Sequence, residues 1–234
     1  MILFKKKIVV TGGEGRFASV LKKTKSNYDY LFPSKKTLNI LNVNSIRKYI
    51  QKYKPKYLLH CAGLSRPMII HETNFKKSID LNIIGTANVT KICSEYNVKL
   101  IYFSTGYVYE GKIGNYKETS PVLPINKYAW SKLGGECAVK LYKNSLILRI
   151  IMCEKPFLHK SAFKDIKTNF IFHEDVAKFI PKILNKKGIL NVGGKIQSVY
   201  NFVKKYNKFI KKTSGRKVFP PNPSMNITKL KKII

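Results

Sequence analysis

Arginine is scarce in this chain although positive charge is not. Only five of its 45 basic residues are arginines, against 12 acids, and the formal net charge is +33 over 234 residues. Base and phosphate recognition leans on arginine forks, and the lysines are scattered from Lys5 to Lys232 without forming one block. With abundant Asn and Ile, this reads as a compositional bias laid over an ordinary fold, and no specific nucleic-acid binding is expected. The field itself still predicts salt-sensitive adhesion to polyanions and attraction of phosphorylated ligands. Cysteine is sparse too: Cys61, Cys93, Cys137 and Cys153 have no Cys-x-x-Cys spacing, so buried free thiols are expected, with neither disulfide nor zinc. His60, His71, His159 and His173 lack metal-ligand spacing and receive no metal or catalytic role. No apolar run approaches the roughly 20 residues of a membrane span. Met1 to Phe4 lead through lysines into a strand instead of a signal-peptide core, so a cytoplasmic protein is expected.

What is present alternates strands with helices. Lys7 to Val10 is a β-branched run ending in Thr11-Gly12-Gly13-Glu14-Gly15-Arg16-Phe17-Ala18, with a helix-like stretch from Ser19 to Lys25. Strand, glycine turn and helix form the context of a dinucleotide site: Gly12 permits the turn, Gly15 lets a pyrophosphate approach the helix N-terminus, and Ala18 allows close packing. Arg16 and Phe17 belong to the same cofactor-binding turn. Tyr28 to Phe32 reads as a second strand. An acid near its end would grip ribose hydroxyls and favour NAD(H), but Pro33-Ser34-Lys35-Lys36 follows instead. Ser34 and Lys35 suit the extra phosphate of NADP(H), which is favoured, with NAD(H) the alternative. An amphipathic helix from Ser45 to Lys54 precedes a buried strand, Lys56 to His60, ending in Cys61-Ala62-Gly63, small enough for a cofactor to lie close. A helix from about Phe75 to Tyr96 carries Asn82 and Gly85. The strand Lys99 to Phe103 then leads to Ser104-Thr105, hydroxyls expected to face the crevice of the glycine turn. The fold class is therefore α/β, a doubly wound parallel sheet. Residues 1–150 are read as the NAD(P)-binding domain and 151–234 as a small, shortened substrate lobe interleaved with it. Within the latter, helices are expected from Glu174 to Asn185 and from Gln197 to about Lys212.

Tyr128-Ala129-Trp130-Ser131-Lys132 places a phenol and an ammonium four residues apart, on one face of a helix. A nearby ammonium lowers a phenol's pKa and makes it a proton donor and acceptor suited to carbonyl reduction. Trp130 is read as lying within the same site.

The order of these motifs, with Asn82-x-x-Gly85-Thr86 between them, resembles the extended short-chain dehydrogenase/reductase superfamily. Ser104-Thr105-Gly106-Tyr107-Val108-Tyr109-Glu110-Gly111 is most similar to the dTDP-4-dehydrorhamnose reductase family, whose members carry Ser-Thr-Asp-Tyr-Val-Phe there. The likeness extends through Lys132-Leu133-x-Gly135-Glu136, His173-Glu174-Asp175-Val176-Ala177 and Asn226-Ile227-Thr228-Lys229-Leu230. It implies an NADP(H)-dependent reductase of a nucleotide-linked 4-keto-6-deoxy sugar, with hydride from nicotinamide and a proton from Tyr128. Thr105 would position the carbonyl, and Lys132 would bind the nicotinamide ribose and depress the Tyr128 pKa. Asn82, Ser104 and Cys61 to Gly63 would line the cofactor. Two alternatives use the same fold: a nucleotide-sugar epimerase with tightly bound NAD, and a non-catalytic regulatory subunit. A homodimer is compatible with the resemblance. Two departures stand out. Gly106 replaces the family's aspartate, and the segment between Arg149 and His173 is short.

Overall fold

The computed structural model describes residues 5–216 and 219–234. Met1 to Phe4, read above as leading into a strand, lie outside that range. A parallel sheet is built from Lys7–Thr11 (β1), Asp29–Leu31 (β2), Tyr57–His60 (β3), Lys99–Thr105 (β4), Ser145–Ile150 (β5) and an edge strand, Gly188–Val192. In space the six run edge strand, β5, β4, β3, β1, β2. Every residue of β3, β4 and β5 is buried, as the unbroken apolar runs of a sheet covered on both faces require.

Alternate side chains of the strands face opposite layers. Ile8, Val10, Leu59, Ile101 and Leu148 pack with Phe17 and Leu21 of Arg16–Lys23 (α1) and with Val176 and Ile180 of a later helix. Val9, Leu58, Leu100 and Ile147 pack with Ile46 and Ile50 of Val43–Tyr53 (α2), and with further helices on that face. Those are reached through two short helices, Ile69–Thr73 (α3) and Phe75–Ser78 (α4). A π-helical turn, Ile79–Ile84, then leads into Gly85–Glu95 (α5), which lies beside Lys127–Lys140 (α6). The expected single helix from Phe75 to Tyr96 is thus interrupted. The wider turn, a local feature common at functional sites, carries Asn82.

The chain beyond residue 150 divides between two cores. His173–Ile183 (α7), the edge strand and Leu230 of a terminal helix join the core beneath α1. Cys153, Ala162, Ile166, Phe172, Val199, Phe202, Val203 and Ile210 form a smaller core of their own. The expected helix from Gln197 to Lys212 is cut to Val199–Lys204 (α8). Ser198 caps it by accepting the Asn201 N–H at 3.1 Å. Asn207 then turns the chain by accepting the Phe209 N–H at 3.0 Å, and Lys211–Thr213 pairs with Ser161–Phe163. The apolar spacing is real, but Ile210 reaches the small core from beyond the turn. The last helix is Thr228–Lys231 (α9). All four cysteines are free, and Cys137 departs from the expected burial because α6 turns it to solvent. No helix among the described residues is long and apolar enough to cross a membrane.

Candidate active site

β1 has β2 on one side and β3 on the other, so the chain leaves its C-terminal end in opposite directions and opens a crevice there. The glycine turn lies at that opening. Gly12 adopts φ +69°, and a Cβ on it would come within 3.0 Å of the Ala62 backbone. The Gly15 N–H closes the turn on the Gly12 carbonyl at 2.8 Å. A Cβ on Gly13 would lie 2.6 Å from the carbonyl carbon of Phe32, so the turn is pressed onto the end of β2. α1 begins at Arg16 with no side-chain cap and no acid in its first turn. Its free N–H groups and dipole favour an anion, and the backbone cradle fits a dinucleotide pyrophosphate. Phe17 and Ala18 are buried beneath.

Under the turn, Thr11 Oγ1 accepts the Ala62 N–H at 3.2 Å and pairs with His60 Nδ1 at 2.8 Å. His60 Nε2 pairs with Thr86 Oγ1 at 3.0 Å. Burial and the nearby Lys132 push the imidazole down to about 3, so His60 is a neutral strut linking β1, β3 and α5. Ser34 and Lys35 do flank the glycine turn. The Ser34 hydroxyl pairs with Thr37 at 3.1 Å, and the Lys35 N–H donates to the Glu14 carboxylate at 3.3 Å. Glu14, passed over at the sequence level, thus supplies from the turn a carboxylate that the β2 end lacks.

α6 starts where Asn126 accepts the Ala129 N–H at 2.8 Å, which sets Tyr128 and Lys132 one turn apart on the crevice side. Burial pushes the Tyr128 phenol up to about 12, reinforced by Tyr107. The nearby Thr105 side chain and the charges of Arg66 and Arg16 act in the other direction. Thr105, at the end of β4, and Tyr128 are therefore brought together. The expected depression of the Tyr128 pKa by Lys132 is not found. Burial dominates at Tyr128, and the Lys132 ammonium lies 4.2 Å from the centre of the Tyr102 ring. Burial holds Lys132 itself down to about 7, with Cys61 and Glu136 partly countering. Cys61, half-buried, and Gly63 border the ammonium; a Cβ on Gly63 would lie 4.0 Å from Lys132 Nζ.

Asn82 is a positioning residue. Its side-chain oxygen accepts the Leu64 N–H at 2.8 Å, and its nitrogen donates to the Leu64 carbonyl at 2.9 Å and to Ser131 Oγ at 2.8 Å. It fastens the segment after β3 to α6. Ser104 departs from expectation. One residue before Thr105 on an extended strand, it points to the face that α6 covers, where its hydroxyl donates to the buried Glu136, one turn beyond Lys132. Glu136 pairs with Arg149 at 2.8 Å, Arg149 donates to Tyr109 Oη at 3.0 Å, and Tyr109 donates to Asn191 at 2.9 Å. That buried network supports the site from behind. Trp130 also departs, being 54% exposed, because two residues along a helix is more than half a turn from Tyr128. His71, given no role at the sequence level, packs at a tilt of 59° with its ring centre 5.1 Å from that of Tyr128, and its Nδ1 pairs with Ser78 Oγ at 2.7 Å. No sequence spacing links it to Tyr128; the short α3 brings it there. Among the described residues there is no cluster of His, Cys, Asp and Glu suited to a metal ion.

A family model described as "RmlD substrate binding domain" matches residues 6–153, more than half of the chain and all of the glycine turn and Tyr128–Lys132 region. The chain belongs to this family. Similar proteins fall into two groups. The methionine adenosyltransferase 2 subunit beta of Xenopus laevis is 32% identical over 143 residues, 57% of this chain and 42% of that protein. The dTDP-4-dehydrorhamnose reductase of Aggregatibacter actinomycetemcomitans is 27% identical over 148 residues, 61% of this chain and 50% of that protein. These matches span about half the length of the curated relatives. The crystal structure of the Bacillus anthracis dTDP-4-dehydrorhamnose reductase in complex with NADP superimposes with a TM-score of 0.88 at 23% identity, covering 99% of this chain and 93% of that one. The Bordetella bronchiseptica enzyme WbmG in complex with NAD gives 0.78 at 16% identity, covering 99% of this chain and 88% of that one. The RmlD-type fold, with its doubly wound sheet, is thereby established for this chain.

Proposed function

We propose that this RmlD-family chain is a nicotinamide-dependent reductase of a nucleotide-linked 4-keto sugar. The observation that carries the reading is the convergence of Thr105, Tyr128 and Lys132 at the crevice that the glycine turn opens. A bound nicotinamide would supply hydride to the keto carbon. With a pKa raised to about 12, Tyr128 holds its proton at Oη through the neutral range and is a donor toward a carbonyl oxygen. Thr105 stands close enough to lower the pKa of the same phenol and can orient a carbonyl beside it. Lys132, held near 7, gains its proton readily when an acceptor such as a ribose hydroxyl stands beside it. His71 walls one side of the Tyr128 ring. The adenosine end meets Lys35 and Lys36, which suit NADP(H), but also Glu14, which repels a 2′-phosphate. Tyr128→Phe should reduce turnover of a keto-sugar nucleotide at least 100-fold, the scale of a lost general acid, while dinucleotide binding measured by calorimetry stays within about twofold. Equal turnover in the variant would refute the assignment.

A second reading is favoured by the subunit beta relatives at 31–32% identity: a cofactor-binding regulatory subunit. It predicts dinucleotide binding with no turnover of any keto-sugar nucleotide by the wild type.

A further inference from the structure

Three charged side chains meet at the mouth of the crevice. Arg16, at the start of α1, and Arg66, after β3, place Nη1 atoms 2.8 and 3.0 Å from the same carboxylate oxygen, Oε1 of Glu154. Arg66 also reaches Oε2 at 3.2 Å, and Arg16 Nη2 donates to Ser65 Oγ at 3.1 Å. Glu154 directly follows the short strand Met152–Cys153, so the contact ties the glycine turn to the chain beyond the sheet. Both guanidinium charges act on the Tyr128 phenol and on His173, which places the group beside the candidate active site. One carboxylate leaves two guanidiniums with a net charge of +1. The arginine side chains are 46% and 41% exposed while the carboxylate between them is 17% exposed, so donors remain available to solvent. Guanidinium forks match phosphate oxygens as they match carboxylates. The uncapped N-terminus of α1 adds backbone donors beside Arg16.

We propose that Arg16 and Arg66 form a diphosphate-binding pair, and that Glu154 is the internal counter-ion a diphosphate displaces. The proposal rests on reading the crevice as a nucleotide site, where two ligands carry this group: a dinucleotide cofactor and a nucleoside-diphosphate sugar. Glu154 then sets the affinity and links ligand entry to the contact between the glycine turn and the lobe beyond β5.

The test is calorimetry at physiological salt with inorganic pyrophosphate, UDP and NADH. The proteins are wild type, Glu154→Gln, Arg66→Ala and, as a charge control, Glu95→Gln, which removes the same charge from the Arg47 pair on another surface. Glu154→Gln should tighten pyrophosphate about five- to tenfold and Arg66→Ala should weaken it comparably. Glu95→Gln should change it by less than about twofold, since exposed charges beyond a Debye length are screened. No tightening in Glu154→Gln, or equal tightening in Glu95→Gln, would overturn the proposal. A response that extends to NADH but not UDP assigns the group to the cofactor's pyrophosphate, and the reverse assigns it to the substrate; both support the pair. Normal NADH affinity with pyrophosphate indifferent to Glu154 overturns the pair and leaves the cofactor reading standing. Pyrophosphate responding as expected with no NADH binding supports the pair and removes the cofactor reading.

Discussion

Replacing Lys132 by methionine removes a buried ammonium while keeping most of its volume, and the structure allows the effect to be worked through. Burial lowers the Lys132 pKa from 10.5 to about 7. At about 1.4 kcal/mol per pKa unit, holding the charge inside costs roughly 4–5 kcal/mol, an upper figure. Its contact with the Tyr102 ring at 4.2 Å returns roughly 1–2 kcal/mol. The variant should therefore be more stable by roughly 2–4 kcal/mol at pH 6. The sign of the pH dependence follows from the two pKa values. Below about 7 the lysine is protonated folded and unfolded, and the full cost is present. Between about 7 and 10.5 only the unfolded chain holds the proton, so wild-type stability rises with pH and the advantage of the variant shrinks by about 1.4 kcal/mol per unit. Lys99, lowered to about 8 by burial and Lys187, is common to both proteins and cancels in the difference. Urea unfolding of both proteins at pH 6, 7.5 and 9 provides the measurement. A less stable variant, or a difference that does not vary with pH, would refute the reasoning. A gain would mark Lys132 as kept for its chemistry against its effect on the fold.

Three further outcomes follow from particular contacts. Arg149→Met leaves the Glu136 carboxylate, 0% exposed, without its cation and should destabilise by about 3–5 kcal/mol in urea unfolding; a loss under about 1 kcal/mol would mean that the network is hydrated. Asn82→Ala removes the three bonds to Leu64 and Ser131. It should cost about 1–3 kcal/mol and also weaken dinucleotide binding, because the segment after β3 and α6 lose their common tie; stability loss with unchanged binding would confine Asn82 to the fold. Glu14→Gln should shift the ratio of NADPH to NADH affinity toward NADPH by about tenfold, by removing a carboxylate beside Lys35; an unchanged ratio in calorimetry would place the 2′-phosphate elsewhere.

Local chemistry made much of the architecture legible in advance. β-branched and apolar runs followed by Gly12, Gly63 and Thr105 identify strands that end at one edge, because only small or hydroxylated residues suit a backbone that must meet a ligand. The spacing of Tyr128 and Lys132 gives one helix face, since 3.6 residues per turn is independent of the rest of the molecule. Tertiary structure decided what those residues experience. Burial, a property of the whole packing, raises Tyr128 and lowers Lys132 where sequence proximity alone predicts that they act on one another. Strand alternation turns Ser104 to Glu136, one helical turn beyond Lys132, and that carboxylate takes up its hydroxyl. His71, Glu14, Arg66 and Glu154 are separated from their partners by long stretches of chain, so no spacing rule could join them. Periodicity also cannot see a turn that keeps an apolar residue in phase, which is why the helix after Gln197 ends at Lys204 while Ile210 still reaches the small core. The sequence by itself determined the order of elements and the identity of the candidate site groups, because those depend on nearest neighbours along the chain. Only the folded arrangement determined their protonation, their counter-ions and which of them face the crevice, because those depend on neighbours in space.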